Sequence, residues 1–97
     1  ANVSKISIIY IMELKTLFEQ AVANSKLLSS KPDNETLLKL YSLYKQATEG
    51  DAPEEGPSNP FDIVGKAKHQ AWQAIKGLTN EGAMQQYINL VTSLQGK

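Results

Sequence analysis

The sequence predicts an all-α fold with four helices. Apolar residues recur at steps of three and four in four separate segments, and this spacing places them on one face of a helix. Stretches rich in Pro, Gly, Ser, Asn or Asp separate the segments, and no useful length alternates between apolar and polar residues as a half-buried strand does. Four amphipathic helices without strands indicate a helix bundle.

The first helix is expected over residues 12–28. Charged and polar residues lie between its apolar positions, which makes the helix amphipathic. The break at residues 29–34 should end it, because Pro32 disfavours the helical conformation in the residue before it. Its apolar stripe consists of Leu14, Leu17, Phe18, Ala21, Val22 and Leu28.

The second helix should begin at Asp33 or Asn34, since either residue is a good N-cap, and it should stop at Gly50. Its stripe consists of Leu37, Leu40, Tyr41 and Tyr44. Residues 51–62 follow with three Pro, one Gly and four acidic residues. This composition predicts a long surface loop.

The third helix is expected to begin near Val64 and to end at Gly77, and Thr79 is the expected N-cap of the fourth. The third stripe consists of Val64, Ala67, Ala71, Trp72 and Ile75, and the fourth of Met84, Tyr87, Ile88, Val91 and Leu94.

Residues 1–11 are expected to be an extension in front of a domain that spans residues 12–97. Position 1 is not Met, whereas Met12 directly opens the first helix pattern. We therefore expect residues 1–11 to be added or processed sequence, with a native N-terminal extension as the alternative. The apolar run at residues 6–12 is too short to span a bilayer, which needs about 20 apolar residues.

Composition excludes several kinds of site. The chain has no Cys and one His, which excludes disulfides, thiolate chemistry and a multi-histidine metal site. Ten basic residues balance ten acidic ones, so bulk charge favours neither nucleic acid nor an acidic membrane as a partner. All the basic residues are Lys, so any anion site must use ammonium groups rather than guanidinium groups.

Tyr41, Tyr44 and Lys45 are the most informative residues. They stand at i, i+3 and i+4, so in a helix two phenol rings and an ammonium share one face. Rings that stack, hydroxyls that donate and a cation that neutralises suit a flat apolar group carrying phosphate. The alternative is that these tyrosines, like Tyr87, are core aromatics whose hydroxyl groups reach water.

Two lysines fall on predicted apolar stripes. Lys68 lies midway between Val64 and Trp72, and Lys26 follows Val22 by four residues. Such a lysine either extends its ammonium to the rim of the core or directs it at a bound anion. The spacing leaves both interpretations open. Residues 63–80 contain no acid, yet the neutral chain is a weak match to a nucleic-acid-binding protein, and a small phosphate-bearing ligand fits better.

The chain resembles the acyl-CoA-binding protein family over residues 14–94. The matching runs are Tyr-Ser-Leu-Tyr-Lys-Gln-Ala-Thr-Glu-Gly-Asp at residues 41–51 and Gly-Lys-Ala-Lys at residues 65–68. Further matches are Phe18, Lys31-Pro32, Ala71-Trp72, Lys76-Gly77, Ala83-Met84 and Tyr87-Ile88. The resemblance implies an up-down-down-up bundle of four helices with a long loop between helices 2 and 3.

The same resemblance implies non-covalent binding of medium- to long-chain fatty acyl-CoA esters, with a role in forming and transporting an intracellular acyl-CoA pool. It implies that Tyr41, Lys45 and Lys68 hold the nucleotide 3′-phosphate. Adenine would pack on Tyr44, on Tyr87 and on the first helix. The implied contacts are Lys26, Tyr41, Ser42, Leu43, Tyr44, Lys45, Lys68 and Tyr87, with Val22, Leu38 and Val64 as secondary groove candidates.

Two positions depart from the family pattern. His69 stands where the family usually has Trp, which changes a packing contact near the acyl chain. Val64 stands where Lys is common, which removes one cation and makes the groove more apolar. A hydrolase has little support, because His69 is the only histidine, the chain has no Cys and the sequence offers no evident partner for nucleophilic catalysis. We expect His69 to be an exposed helix residue.

Val64 and His69 also favour an alternative function, a helical protein-interaction module that keeps the bundle but not the ligand. An accessory domain of a larger lipid-metabolism enzyme is a further alternative. No catalytic residue, metal ligand or cofactor is expected. The expected partner is a fatty acyl-CoA molecule and not nucleic acid, with transient contacts to membranes or to enzymes that use acyl-CoA. The protein is expected to be a cytoplasmic monomer.

Overall fold

The computed structural model describes the backbone of residues 2–96 and the side chains of residues 8–96. Its regular elements are the helices α1 (Asn2–Ser25), α2 (Asn34–Glu49), α3 (Ile63–Gln73) and α4 (Asn80–Gln95). No strand occurs over residues 2–96. The predicted all-α fold of four helices, with its long loop between α2 and α3, is confirmed.

Helix α1 differs from the prediction at both ends. It continues without a break from Asn2, so the predicted start at residue 12 is wrong. Buried residues after Met12 stabilise the helix, and the residues before Met12 only extend it. Extending a helix costs far less free energy than nucleating one. The helix also ends at Ser25 rather than at residue 28. The next two amides bond to carbonyls three residues back, at 3.2 and 3.0 Å, which is the tighter geometry of a closing turn.

The other helix ends follow local capping chemistry. Asp33 accepts the amide of Thr36 at 2.8 Å, and Thr79 accepts that of Gly82 at 3.0 Å, so both predicted N-caps are confirmed. Gly50 ends α2 with a φ of 87°, a conformation that suits glycine.

Helix α3 is shorter than predicted. It begins at an N-cap that was assigned to the loop, Asp62, whose carboxylate accepts the amide of Gly65 at 2.9 Å. It ends at Gln73, four residues before the predicted stop at Gly77. The amides of Ile75 and Lys76 bond to carbonyls three residues back, so the chain has already tightened into turns there.

Contacts along the helices give their directions. Lys68 of α3 lies over Tyr41 of α2, and Trp72 one turn later bonds to Gln46 of α2, so these two helices are parallel. Asn80 at the start of α4 bonds to the carbonyl of Ala47 near the end of α2, so α4 runs the opposite way.

Helix α1 is antiparallel to α2, since Lys15 and Thr48 line one depression while Lys26 and Tyr41 line another. The bundle therefore has the up-down-down-up order that the resemblance implied. Helix α4 packs against both α1 and α2, and α3 packs against α2. The core lies among α1, α2 and α4 and consists of Phe18, Ala21, Leu40, Leu43, Ala47, Ala83, Tyr87 and Val91. In the described part of the chain, no helix has the length and apolar character needed to cross a membrane.

Candidate ligand-binding site

A groove with aromatic walls lies between α1 and α2, and we call it the aromatic groove. Its volume is about 350 Å³, within the range of small-molecule pockets. The lining residues are Val22, Ser25, Lys26, Pro32, Leu37, Leu40, Tyr41, Tyr44 and Tyr87. Five residues that were predicted separately along the sequence thus meet in one groove: Val22, Lys26, Tyr41, Tyr44 and Tyr87.

Tyr44 and Tyr87 are wall residues of this groove, and the ring of Phe18 packs against both of them. Phe18 stacks on Tyr44 with ring centroids 6.0 Å apart, and it meets the edge of Tyr87 at 5.2 Å. Tyr87 is buried and its hydroxyl donates to the hydroxyl of Ser25 at 3.2 Å. Tyr44 is 40% exposed. Tyr87 therefore acts mainly as packing beneath the groove, whereas Tyr44 presents an accessible ring to a ligand.

Two ammonium groups lie over aromatic rings next to the groove. The Nζ atom of Lys68 is 5.2 Å from the ring centre of Tyr41, and that of Lys45 is 5.0 Å from the ring of Trp72. In such a contact the face of the aromatic ring attracts the cation electrostatically. Lys68 is exposed, so its side chain has reached the rim of the bundle. Tyr41, Lys45 and Lys68 therefore lie on neighbouring surfaces of α2 and α3.

Lys45 also has an acidic neighbour on its own helix. Its ammonium forms an ion pair and hydrogen bond with the carboxylate of Glu49, one turn further along. The hydrogen bond and the negative charge of Glu49 raise the pKa of Lys45 above its ordinary value. Lys45 is therefore a permanent cation at neutral pH, and its ammonium is already paired with the carboxylate of Glu49.

A second groove lies between the N-terminal halves of α2 and α3, and we call it the aliphatic groove. Its volume is about 390 Å³, and its lining residues are Asn34, Leu37, Leu38, Ile63, Val64, Ala67 and Lys68. Leu37 lines both grooves, so they are neighbours on the surface. The aliphatic groove therefore offers an apolar channel with a single cation, Lys68, at its border with Tyr41.

A polar cluster fixes α2 and α3 at their C-terminal ends, and we call Gln46, Asp51 and Trp72 the polar hub. Gln46 is 1% exposed, and its amide donates to Asp51 at 2.8 Å and to the carbonyl of Leu78 at 2.9 Å. The indole N–H of Trp72 donates to Gln46 at 3.1 Å and to the carbonyl of Gly50 at 2.8 Å. A buried amide with every group bonded stabilises one arrangement of its neighbours.

Asp51 closes the polar hub on the side of the α3–α4 turn. Its carboxylate accepts the backbone amide of Gly77 at 2.8 Å, and this bond, together with that from Gln46, lowers the pKa of Asp51. The hub therefore holds the ring of Trp72 in place beneath the ammonium of Lys45.

Three sequence expectations change once the side chains are placed. Ser42 and Leu43 are buried, and the hydroxyl of Ser42 donates to the carbonyl of Lys39 at 3.0 Å, so we omit both from the proposed ligand surface. The expectation that His69 is exposed is wrong, because the loop residue Gly56 covers its ring. A Cβ atom at Gly56 would lie 2.9 Å from the His69 ring, and the Nε2 atom is buried without a hydrogen-bond partner in the described chain.

Sequence reasoning also missed functional neighbours of the predicted residues. Gln46 was not singled out, although it follows Leu43 by three residues on the buried side of α2. A polar residue on an apolar stripe, in a chain that also has a Trp elsewhere in its sequence, indicates a buried hydrogen bond between the two side chains. Glu49 was missed as well, although its spacing of four from Lys45 is that of a helix ion pair.

Comparison with known proteins places these features in a family. The family model for acyl CoA binding protein matches residues 15–91. "Acyl-CoA-binding protein homolog 1" of Caenorhabditis elegans is 45% identical over 80 residues, which cover 82% of this chain and 92% of that protein. The crystal structure of Oryza sativa Acyl-CoA-Binding Protein 2 superposes with a TM-score of 0.82 and 38% identity, covering 88% of this chain and 91% of that one.

A larger relative shares the same region. Enoyl-CoA delta isomerase 2 of Homo sapiens is 49% identical over 77 residues, or 79% of this chain. The matched region spans only 19% of the length of that relative. Because the family model spans most of the sequence and a relative named for acyl-CoA binding is 45% identical over 92% of its length, the chain belongs to the acyl-CoA-binding protein family.

Proposed function

We propose that the chain binds medium- to long-chain fatty acyl-CoA esters without a covalent bond. One observation carries this proposal: an aromatic groove flanked by cations adjoins an aliphatic groove, with Leu37 shared between them. A ligand with a flat base, phosphate groups and an apolar tail complements both surfaces at once. The relatives named for acyl-CoA binding support the same ligand class.

The phosphate end of the ligand belongs at Tyr41, Lys45 and Lys68. The Tyr41 hydroxyl donates to phosphate, and the two ammonium groups neutralise it as point charges. Adenine stacks on the exposed ring of Tyr44, which Phe18 and Tyr87 support from within the bundle. Lys26, at the edge of the aromatic groove, adds a third cation near the remaining phosphates.

The acyl chain occupies the aliphatic groove. Leu38 and Val64 line it, and Val64 is 65% exposed. Burial of that apolar surface against an acyl chain contributes roughly 0.8 kcal/mol for each CH₂ group removed from water. Val22 contributes to the aromatic groove rather than to this one.

The biological role that follows is that of a carrier and pool former rather than a catalyst. The Caenorhabditis elegans relative, of which the match covers 92%, is named for binding alone, which supports a carrier. The human isomerase relative supports a second candidate, in which the same domain is an accessory part of a larger lipid-metabolism enzyme and presents acyl-CoA to it. The proposed carrier is a cytoplasmic monomer that makes transient contacts with membranes or with enzymes that use acyl-CoA.

Isothermal titration with a series of acyl-CoA esters from butanoyl to palmitoyl, with free CoA as reference, tests the proposal. Affinity should rise with chain length, by up to about 0.8 kcal/mol for each buried CH₂ less the cost of ordering the tail, until the groove is full. An affinity independent of chain length would contradict acyl binding and leave a nucleotide or CoA binder. No binding of any ester would favour the protein-interaction module.

A further inference from the structure

The ammonium of Lys45 has two partners that act on it differently. The ring of Trp72 lies 5.0 Å away and carries no net charge, so it positions the ammonium without neutralising it. The carboxylate of Glu49 forms an ion pair with the same ammonium and removes much of its net charge. An anion that approaches Lys45 therefore meets a cation that already has a counter-ion.

This arrangement is specific to Lys45. Among residues 8–96, the Lys45–Glu49 contact is the one ion pair between side chains. Lys68, the other ammonium at the proposed phosphate site, lies over Tyr41 and has no carboxylate of the described side chains within ion-pair distance. The two lysines thus offer a phosphate group one shared cation and one unshared cation.

The ion pair contributes little to the fold, so stability alone gives no reason for it. Both partners are accessible, with side-chain exposures of 24% for Lys45 and 53% for Glu49. Exposed pairs are weak because solvent screens them. The order is also the less favourable of the two, because the basic residue precedes the acidic one along α2.

We infer that Glu49 competes with the ligand phosphate for the ammonium of Lys45 and thereby lowers the affinity for acyl-CoA. The inference rests on the proposed function, in which Lys45 contacts the 3′-phosphate. On binding, the phosphate displaces the Glu49 carboxylate or shares the ammonium with it. In either case two negative groups lie within a few ångströms of each other, which opposes binding. Glu49 is therefore a determinant of affinity for ligands that carry the phosphate.

The test compares Glu49→Gln with the parent protein by titration with palmitoyl-CoA and with 3′-dephospho-palmitoyl-CoA. The amide keeps the size of the side chain and removes its charge. Glu49→Gln should bind palmitoyl-CoA roughly threefold to tenfold more tightly, the size of one solvent-screened interaction between exposed charges. The gain should be much smaller for the dephospho ligand. Glu35→Gln, an exposed change of equal charge at the far end of α2, should leave both affinities unchanged.

Each result has a defined meaning. Equal affinity of the parent and Glu49→Gln for palmitoyl-CoA would overturn the inference alone, and so would weaker binding, because Glu49 would then orient Lys45 for the ligand. An equal gain for both ligands, or the same gain in Glu35→Gln, would also overturn it by showing a general charge effect. A parent protein that binds neither ligand would overturn the proposed function and this inference together. Thermal unfolding of each variant confirms that the compared proteins are folded.

Discussion

The two ends of the α2–α3 pair differ in how much of their side-chain surface is buried against other protein groups. At the C-terminal end, the amide of Gln46 is buried and all its hydrogen bonds go to protein groups. At the N-terminal end, Phe61, Ile63 and Val64 leave 87, 76 and 65% of their surfaces exposed. The closed end stabilises the geometry of the pair. The open end retains apolar surface that a ligand can cover, and such exposed surface is typical of binding sites.

The largest effect should come from breaking the closed end with Gln46→Leu. The change removes the amide and leaves the carbonyl of Leu78 without its partner, while the charge of Asp51 loses one donor. We expect the free energy of unfolding to fall by about 2–4 kcal/mol, the cost of several lost buried hydrogen bonds. Urea denaturation of this variant and of Gln86→Leu, an exposed control on α4, measures the difference.

Below the unfolding transition, the Gln46→Leu protein should still bind palmitoyl-CoA, because Gln46 lines neither the aromatic groove nor the aliphatic groove and Trp72 keeps its second hydrogen bond, to the carbonyl of Gly50. Equal unfolding free energies for Gln46→Leu and Gln86→Leu would show that the polar hub does not stabilise the pair.

The next effect should come from the cations beside the two grooves. Lys45→Ala or Lys68→Ala should each weaken palmitoyl-CoA binding by about 1.5–3 kcal/mol, the size of a charge-assisted hydrogen bond. The unfolding midpoint should change little, since neither ammonium is buried. Calorimetric titration measures the loss, with Lys39→Ala on the exposed side of α2 as the matched control. A variant that binds as tightly as the parent would remove that lysine from the phosphate site.

The smallest effect should come from deleting residues 1–11, which belong to neither end of the pair. Ile8, Ile9, Tyr10 and Ile11 are exposed on α1, and Leu14 is the first buried residue among those described. We expect a chain that begins at Met12 to lose less than about 1 kcal/mol of unfolding free energy, as exposed changes usually do. Its palmitoyl-CoA affinity should match that of the full chain. A marked loss of either property would show that the segment packs on the bundle and would contradict its assignment as a dispensable extension.

The sequence was sufficient where the physical cause is local. Asp33, Gly50 and Thr79 were placed correctly because each acts on amides or carbonyls within a few residues of itself. The aromatic groove was foreseen from spacing on α2 together with a family resemblance, because Tyr41 and Tyr44 lie one turn apart on the same helix.

The sequence was insufficient where the cause is distant along the chain. The hydrogen bond between Gln46 and Trp72 joins residues 26 positions apart, and that to Leu78 joins residues 32 apart. The burial of the His69 ring beneath Gly56 depends on the path of the loop at residues 51–62, and no periodic pattern in the sequence specifies that path. The early end of α3 has a similar origin, since Gly77 donates to Asp51 and the turn is thereby held to the end of α2.

Helix α1 depends on α4 for its place in the bundle, and this has a consequence for synthesis. Among the described residues, the backbone of α1 packs against α4 and not against α2 or α3. During translation α1 therefore lacks its backbone partner until α4 leaves the ribosome, and before that Phe18 has only side-chain contacts such as its stacking on Tyr44 of α2. Pairing of the first and last helices also gives this small helical protein many contacts between residues far apart in sequence, a feature that slows folding. The apolar side of α1 is consequently covered in part by α2 and completely only after the last helix has been made.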